Sequence, residues 1–341
     1  MTEKKAIKLS NSNIFSFSEK LIDNYDRSID YLRVSVTHEC NQSCTYCTKS
    51  PDGQNYPVED TLSEDELLYL LQIFTELGIK KIRFTGGEPF LRKDFISILK
   101  RTIALPGIDS VNISTNGAHI GKYIDEIKEL PLDSINISLD TLEEKKYREI
   151  TGKNNLDKVL ETINNLAYGK TKIKVNCVVI KDVNDREIID IAYLSKLYPV
   201  DVRFCEVIPI KAGFSDEQIV TSREIYKTLT EAIPGISPAI QNTHNANMFE
   251  VTGFLGKIGI IGGFSRNFCS TCSKLKLSPS GSLKLCLYDK KSINLGQLVR
   301  YEYSHRRIKN IINHAVKTRY FDGYAAEESL KKSDNNNAIE M

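Results

Sequence analysis

The feature that most constrains this chain is a short run with three cysteines, Cys40, Cys44 and Cys47, directly after a strand-like segment. A four-iron cluster is normally held by four cysteine thiolates, so a set of three can hold three irons and leaves the fourth iron open to a small molecule. The spacing leaves two alternatives open, a zinc site that lacks one ligand and three unrelated core thiols. It favours an iron-sulfur cluster that takes part in chemistry.

A second set of three cysteines lies far along the chain: Cys269, Cys272 and Cys286. The other two cysteines, Cys177 and Cys205, stand alone in strand-like runs. Clustering into two sets indicates two metal sites in a reducing compartment rather than a disulfide framework. A zinc ribbon is the alternative for the second set, but the nearest histidines, His244 and His305, lie outside the cysteine loop. We therefore interpret the set as a second 4Fe-4S site.

The composition is that of an ordinary globular protein, with 41% hydrophobic and 26% charged residues among 341. A net charge of +2 argues against a nucleic-acid partner held by bulk electrostatics. The sequence holds no apolar run of membrane-spanning length. The stretch from Met1 to Lys20 lacks the apolar segment of a secretory signal. We therefore expect a cytoplasmic protein that binds neither membranes nor nucleic acid.

Strand-like and helix-like segments alternate through the first two thirds of the chain, which is the pattern of β/α units. The predicted strands are 32–36, 80–84, 110–114, 134–139, 173–180 and 202–207, with helices at 94–104, 120–130, 156–168 and 187–197 and one that begins after Ser63. A helix at 223–232, β-like runs at 248–252 and 257–261, and a helix at 306–316 follow. This pattern predicts an α/β fold, a partial (β/α)6 TIM-type barrel with a C-terminal extension. We expect an N-terminal segment at 1–22, the barrel at 23–210, the extension at 211–332 and a polar tail at 333–341.

Two further stretches carry the residue types of a binding site. Gly86-Gly87-Glu88-Pro89 follows the second predicted strand, where glycines let a ligand approach the backbone and Glu88 can accept a hydrogen bond from an amine. The stretches Ser114–Gly117 and Asn136–Asp140 end the next two strands, at the expected mouth of the barrel. The alternative for each stretch alone is an ordinary turn. Together with the cysteine loop they predict a cavity at that mouth.

The spacing of Cys40, Cys44 and Cys47, with Tyr46 before the last cysteine and Gly-Gly-Glu-Pro one β/α unit later, resembles the radical S-adenosylmethionine (SAM) superfamily. The resemblance implies that the first cluster binds SAM at its open iron and that an electron cleaves SAM to a 5′-deoxyadenosyl radical. It also implies a partial barrel of the radical SAM kind, with an extension that carries a second iron-sulfur cluster.

From about Asp23 to Val316 the chain is also similar to the GTP 3′,8-cyclase family of molybdenum-cofactor biosynthesis. The matching segments are 32–37, 83–89, 135–140, 174–176, 184–185, 203–206 and 268–277. The similarity implies conversion of GTP to (8S)-3′,8-cyclo-7,8-dihydroguanosine 5′-triphosphate, through abstraction of the ribose 3′ hydrogen. It also implies an electron donor protein as a partner and allows a homodimer.

The similarity implies roles for individual residues. Cys269, Cys272 and Cys286 would hold the second cluster, which faces the GTP base. The implied SAM contacts are Tyr46, Gly87, Glu88, Ser138 and the backbone of Ile208. The implied GTP contacts are Arg33, Arg83, Ser114, Lys174, Lys274, Leu275 and Lys276. A triphosphate in a closed cavity needs a matched set of cations, which the basic members of this group would supply.

The sequence departs from the family pattern at two places. Lys274 and Lys276 stand where the family has Arg, and lysine keeps the charge but cannot form the two-pronged guanidinium contact. The family ends in a Gly-Gly tail expected to reach the active site, whereas this sequence ends in Ala338-Ile339-Glu340-Met341. Two alternatives stay open beside the cyclase. One is a two-cluster radical SAM enzyme for another nucleoside or a peptide, and the other is a non-catalytic iron-sulfur electron carrier or zinc-stabilised binding module.

If both cysteine sets build four-iron clusters, anaerobically reconstituted protein should hold about eight iron atoms per chain. Replacing Cys269, Cys272 and Cys286 together by Ala should halve the iron content, because the first set is untouched. Metal analysis by atomic emission checks this, with Cys177→Ala as the control that keeps its iron. Zinc in place of iron, or an iron content that the triple substitution leaves unchanged, would show that these three cysteines do not hold an iron-sulfur cluster.

Overall fold

The computed structural model describes residues 20–47, 61–208, 216–240, 246–266, 268–289 and 291–329, and the strands within these ranges form one sheet of twelve. The strands are β1 Tyr31–Ser35, β2 Lys81–Thr85, β3 Ser110–Thr115, β4 Ser134–Ser138, β5 Lys172–Val179, β6 Asp201–Glu206, β7 Ile236–Pro238, β8 Asn247–Val251, β9 Ile258–Ile261, β10 Lys274–Leu277, β11 Ser282–Lys284 and β12 Ile293–Asn294. The helices are α1 Glu64–Glu76, α2 Phe95–Ile103, α3 Ile124–Glu129, α4 Glu144–Thr151, α5 Leu156–Ala167, α6 Ile188–Ala192, α7 Leu194–Leu197, α8 Ser222–Ala232, α9 Leu295–Arg300 and α10 His305–Lys317.

The centre of the sheet is a run of parallel strands in chain order, β1 to β6, each joined to the next through helical segments. Two strands from later in the chain extend it, because β10 pairs parallel with β1 and β9 pairs parallel with β6. Antiparallel strands complete both sides, and among the described residues β7 and β12 are end strands that do not pair with each other. The sheet is therefore an open partial barrel, as the sequence predicts.

Alternation of side chains along each central strand separates two faces. In β1, Leu32 and Val34 are fully buried against the helices, while Arg33 between them is exposed on the other side, toward the lumen of the barrel. The helices present matching apolar faces. In α1, Ser63 and Glu66 form a capping box at the start, and the buried residues after it include Leu70 and Phe74. The main core thus lies between helices and sheet, which leaves the lumen face for polar residues.

The structure differs from the sequence-based elements in several places, and the short strand β7 and the helix α9 were also not predicted. The predicted helix 187–197 is broken at Tyr193 into α6 and α7. Helix α4 was not predicted, because only Tyr147, Ile150 and Thr151 of its residues are buried and the apolar pattern is weak. Strands β10 to β12 were missed because each is only two to four residues long.

The predicted extension does not form a separate sheet, since its strands β9 and β10 join the two sides of the central run. The predicted boundary at residue 210, nearly all of segment 1–22 and the tail 333–341 lie outside the described residues. These domain limits stay predictions. Among the helices that the structure describes, none combines the length and apolar character that crossing a bilayer requires.

Candidate active site

The loop with the first three cysteines follows β1 and packs closely on the glycine turn after β2. Backbone N–H groups of Gly87 and Glu88 donate to the carbonyl oxygens of Thr37 and Glu39, at 2.8 Å and 2.7 Å. A Cβ atom on Gly87 would lie only 1.9 Å from the Glu39 oxygen. A residue with a side chain is therefore excluded at this position unless the cysteine loop moves.

The other side of the loop is fixed by α4 and by the end of β4. The backbone N–H groups of Ser43 and Thr45 donate to the last carbonyls of α4, both at 2.9 Å. The Tyr46 hydroxyl donates to Asp140 Oδ2 at 2.6 Å, and Asp140 Oδ1 accepts from Val178 N at 2.8 Å. Helix α4, which sequence reasoning missed, is thus one support of the cysteine loop.

All three cysteines of this loop are free thiols. Burial, together with negative charge on Asp140, Cys47 and Cys40, raises the pKa of Cys44 to about 12. Such a thiol is protonated at neutral pH and is a poor nucleophile, whereas binding a metal would remove its proton. The donor set therefore fits a metal site better than a catalytic thiol.

Zinc and a four-iron cluster place different demands on the same thiolates. A zinc ion needs its ligands at roughly 2.0–2.3 Å around a single atom, whereas a four-iron cluster binds each thiolate through a different iron. Within the described residues, no three His, Cys, Asp or Glu side chains gather closely enough to hold one metal ion.

The Glu88 side chain is fully buried and braces two strand ends. Its carboxylate accepts from the Thr115 hydroxyl at 2.8 Å, from Asn116 N at 2.7 Å and from Phe90 N at 3.2 Å. Burial raises its pKa to about 7. A direct contact between this carboxylate and the SAM amine stays a prediction, and three donors of the protein already hold the carboxylate.

The second cysteine set lies at the opposite end of the same strands. Cys269 and Cys272 precede β10, which runs parallel to β1, and Cys286 follows β11, which runs antiparallel to β10. These positions place all three at the amino ends of the parallel strands, whereas the first set is at the carboxyl ends. The lumen face of β1 and β10 therefore lies between the two sets.

Alternate residues of a strand point to the same side of the sheet. Six cations at such alternate positions project from this lumen face. They are Arg33, Arg83, Lys174, Arg203, Lys274 and Lys276. Cross-strand register pairs Arg33 with both Arg83 and Lys276. In the part of the chain that the structure describes, none of the six forms an ion pair with a carboxylate, unlike Lys172, which pairs with Asp201 at 2.8 Å. A concentration of like charge without anionic partners inside a barrel is costly unless an anion binds there.

The lysines show the effect of this crowding. Burial, with a smaller contribution from neighbouring arginines, lowers the pKa of Lys174 and Lys274 to about 8 and that of Lys276 to about 7. Burial likewise lowers the pKa of Arg203 to about 10. Neutral groups accept hydrogen bonds from these cations. For example, Arg83 Nη2 donates to Asn112 Oδ1 at 3.2 Å.

The structure brings the predicted GTP residues together with one exception. Leu275 is fully buried on the opposite face of β10, so its side chain cannot reach the lumen. Sequence reasoning also missed Arg203, whose Nε donates to Asn176 Oδ1 at 2.9 Å, although alternation along β6 places it on the lumen face. Ser114 is half-buried on β3, where it accepts from Asn136 Nδ2 at 3.5 Å. Ser138 is the last residue of β4, and Ile208 follows the end of β6. Both residues therefore lie at the carboxyl ends of the strands.

Two family models match the chain. One is described as the radical SAM superfamily and covers residues 34–194, and the other is described as Molybdenum Cofactor Synthesis C and covers residues 200–323. These segments contain the first and the second cysteine set respectively.

The chain is 35% identical over 296 residues to the GTP 3′,8-cyclase of Clostridium perfringens strain SM101, covering 86% of this chain and 91% of that protein. It is 34% identical to molybdenum cofactor biosynthesis protein 1 of Mus musculus, covering 88% of this chain but 48% of that protein. The chain thus spans about half the length of this mammalian relative. The crystal structure of Streptococcus suis SuiB bound to S-adenosylmethionine matches with a TM-score of 0.60 at 14% identity, covering 86% of this chain and 68% of that one, and so shares the fold.

The Gly87 contact predicts a sharp local defect. In Gly87→Ala the new Cβ, 1.9 Å from the Glu39 oxygen, should push the cysteine loop away and abolish iron binding by the first set and SAM binding. The control is Gly121→Ala, where a Cβ would meet nothing within 4 Å. Iron analysis and SAM titration measure both effects. Full iron content and unchanged SAM affinity in Gly87→Ala would contradict the packing described here.

Proposed function

The chain belongs to the GTP 3′,8-cyclase family of radical SAM enzymes, and from that premise we propose that it joins ribose C3′ of GTP to C8 of the guanine. The observation that carries the proposal is a set of six lumen cations, none paired with a carboxylate among the described residues, lying between two sets of three cysteines. A nucleoside triphosphate is a polyanion that would match this charge.

Cys40, Cys44 and Cys47 would hold the first 4Fe-4S cluster, and Cys269, Cys272 and Cys286 the second. When bound, the first cluster and SAM supply a 5′-deoxyadenosyl radical that can remove the ribose 3′ hydrogen. The protein's own contribution at this end is to hold SAM through Tyr46, the backbone of Gly87, Ser138 and the backbone of Ile208. Tyr46 is suited to this because its hydrogen bond to Asp140 fixes the ring in the loop.

Arg33, Arg83, Lys174, Lys274 and Lys276, with Arg203 added, would neutralise the triphosphate, and Ser114 would donate or accept one further hydrogen bond. The charge-assisted contacts would recover the cost of crowding these cations in the lumen. Lys274 and Lys276 follow Cys272 along β10, so of the six cations these two would lie nearest the second cluster. Lysine suffices for charge at both positions, although it does not reproduce a guanidinium fork.

Forming the first bond asks the protein for position rather than for acid or base catalysis. Closure of that bond leaves an unpaired electron on the guanine, so the 7,8-dihydro product also requires one further electron, which the reductant would supply, and one proton. Removal of the 3′ hydrogen and closure of the C3′–C8 bond need C3′ and C8 fixed close to each other and to the radical source. They also need water excluded, so that the radical reacts with substrate alone. Strand ends braced by Glu88 and Asp140 provide a rigid frame for this.

A separate electron donor protein, a homodimer and a cytoplasmic location are predictions that go with this function. The rival within the superfamily, a two-cluster enzyme for another nucleoside or a peptide, shares the cysteine sets but does not require six lumen cations. The electron carrier and the zinc-stabilised module do not require SAM-binding residues. Substrate preference therefore distinguishes the cyclase from the first rival. SAM cleavage distinguishes it from the electron carrier and the zinc-stabilised module.

The direct test is an anaerobic assay of two-cluster protein with SAM, a reductant and GTP, followed by mass spectrometry of nucleotides. We expect the cyclised product with GTP and none with ATP. Cys44→Ala should form neither product nor 5′-deoxyadenosine, because only the first set is proposed to bind SAM. Cys272→Ala should lose the product and retain some uncoupled 5′-deoxyadenosine.

Equal loss of 5′-deoxyadenosine in both cysteine variants would contradict separate roles for the two sites, with SAM cleavage at the first and substrate binding at the second. Equal use of GTP and ATP, or GTP binding without cyclisation in the wild type, would favour the rival substrate class. Circular dichroism of each variant controls for failure to fold.

The low pKa of Lys174, about 8, predicts that GTP affinity depends on pH. The triphosphate favours the charged ammonium, so binding is strongest below pH 8 and weakens as pH rises through 8, by up to about tenfold per pH unit for this group. Lys174→Arg stays charged and should show a shallower decline between pH 7 and pH 9 in calorimetric titrations without reductant. Lys172→Arg is the matched control, because Lys172 is already paired with Asp201. An identical decline in wild type and Lys174→Arg would contradict a phosphate contact.

A further inference from the structure

A buried charge group lies beside the second cysteine set, away from the lumen. Its members, Asp23, Arg27 and Arg319, are each less than one tenth exposed. Asp23 Oδ2 accepts from Arg27 Nε at 2.7 Å and from Arg319 Nη1 at 3.1 Å. Asp23 Oδ1 also accepts from the backbone N–H of Arg27 at 3.1 Å, which holds the carboxylate between the two guanidinium groups.

The remaining donors of Arg27 bind the carbonyls of Tyr320, Phe321 and Cys269, and those of Arg319 reach the second cysteine set and the residue before Cys286. Arg27 Nη1 donates to the carbonyl oxygen of Cys269 at 2.9 Å. Arg319 donates to the carbonyl of Leu285, directly before Cys286, at 3.2 Å and to the carbonyl of Cys272 at 3.2 Å. Arg319 Nη2 also lies 3.5 Å from Cys272 Sγ, within reach of a hydrogen bond to that sulfur. All three cysteine positions are thus tied to one charge group.

The charge of this group does not balance within itself. Two guanidinium groups stay protonated in proteins, and one carboxylate between them leaves a net charge of +1 out of contact with water. Besides Asp23, Arg319 contacts the sulfur of Cys272, which becomes a thiolate when it binds a cluster. Three thiolates binding a cluster supply negative charge there, and each electron that enters the cluster adds one more.

We propose that Arg319, oriented by Asp23 and joined by Arg27, is a positioning residue that stabilises the reduced form of the second cluster and so raises its reduction potential. A positive charge near a cluster and a hydrogen bond to a ligating sulfur both act in this direction. The inference rests on the proposed function only in requiring that the second set holds a cluster. It adds a role for a segment after α10 and for a turn before β1.

The test is an EPR-monitored redox titration of the full chain with Cys40, Cys44 and Cys47 replaced by Ala, so that only the second cluster is observed. Arg319→Met should lower the midpoint potential most, because it removes both the charge and the hydrogen bond. Arg319→Lys should lie between Arg319→Met and the unmodified site. Asp23→Asn should raise the potential, since it removes the negative charge and keeps the hydrogen-bonding shape.

We expect the midpoint potential to rise in Asp23→Asn and to fall in Arg319→Met. A merely structural role would instead lower the iron content of both variants without shifting the potential in opposite directions. Arg92→Met is the matched control, because Arg92 pairs with Asp94 and binds two carbonyls away from this site, and it should not move the potential. An unmoved potential in the Arg319 variants overturns the proposal.

If neither Arg319 variant retains iron, Asp23→Asn decides alone. A potential equal to or below that of the unmodified site, or failure to load iron, overturns the proposal, because this variant keeps both guanidinium groups. Absence of iron from the unmodified second set would instead refute the two-cluster function. The two failures are therefore distinguishable.

Discussion

The interaction on which the rest of this structure depends is the mutual repulsion of cations inside the barrel. Six basic side chains project from five strands into one lumen, and among the described residues none pairs with a carboxylate. The apolar core on the other face of the same strands holds these charges together at a cost. A bound polyanion would offset this cost, because its charges would pair with the cations.

Lysine in place of the family's arginine changes how the free protein carries this charge. Burial lowers the pKa of Lys274 to about 8 and that of Lys276 to about 7, whereas an arginine stays charged at physiological pH. Lysine at these positions therefore eases part of the repulsion in the free protein, and a bound phosphate would favour the charged form. The departure from the family pattern is therefore compatible with a phosphate site, one that responds to pH.

Much of the central fold could be predicted from the sequence, because period-two alternation in β1 to β6 and the apolar faces of α1 and α5 are strong local signals. The joining of β9 and β10 to the sheet could not, because pairing between distant segments leaves no local pattern. The same limit applies to the site. Cys40, Cys44, Cys47 and Gly87 stand out by spacing, whereas Arg203 and Arg319 are scattered basic residues whose role depends on which strands and loops become neighbours. Leu275 illustrates the converse, since a residue within a matching segment can face the core.

The central claim is that the lumen holds GTP with its ribose presented to the radical formed at the first cysteine set. The most direct measurement uses GTP with deuterium at C3′, under anaerobic single-turnover conditions, and mass spectrometry of the 5′-deoxyadenosine that forms. Transfer of the deuterium to 5′-deoxyadenosine, together with the cyclised nucleotide, is the predicted result. Formation of 5′-deoxyadenosine without deuterium would contradict the account, because SAM would then be cleaved without the ribose in place.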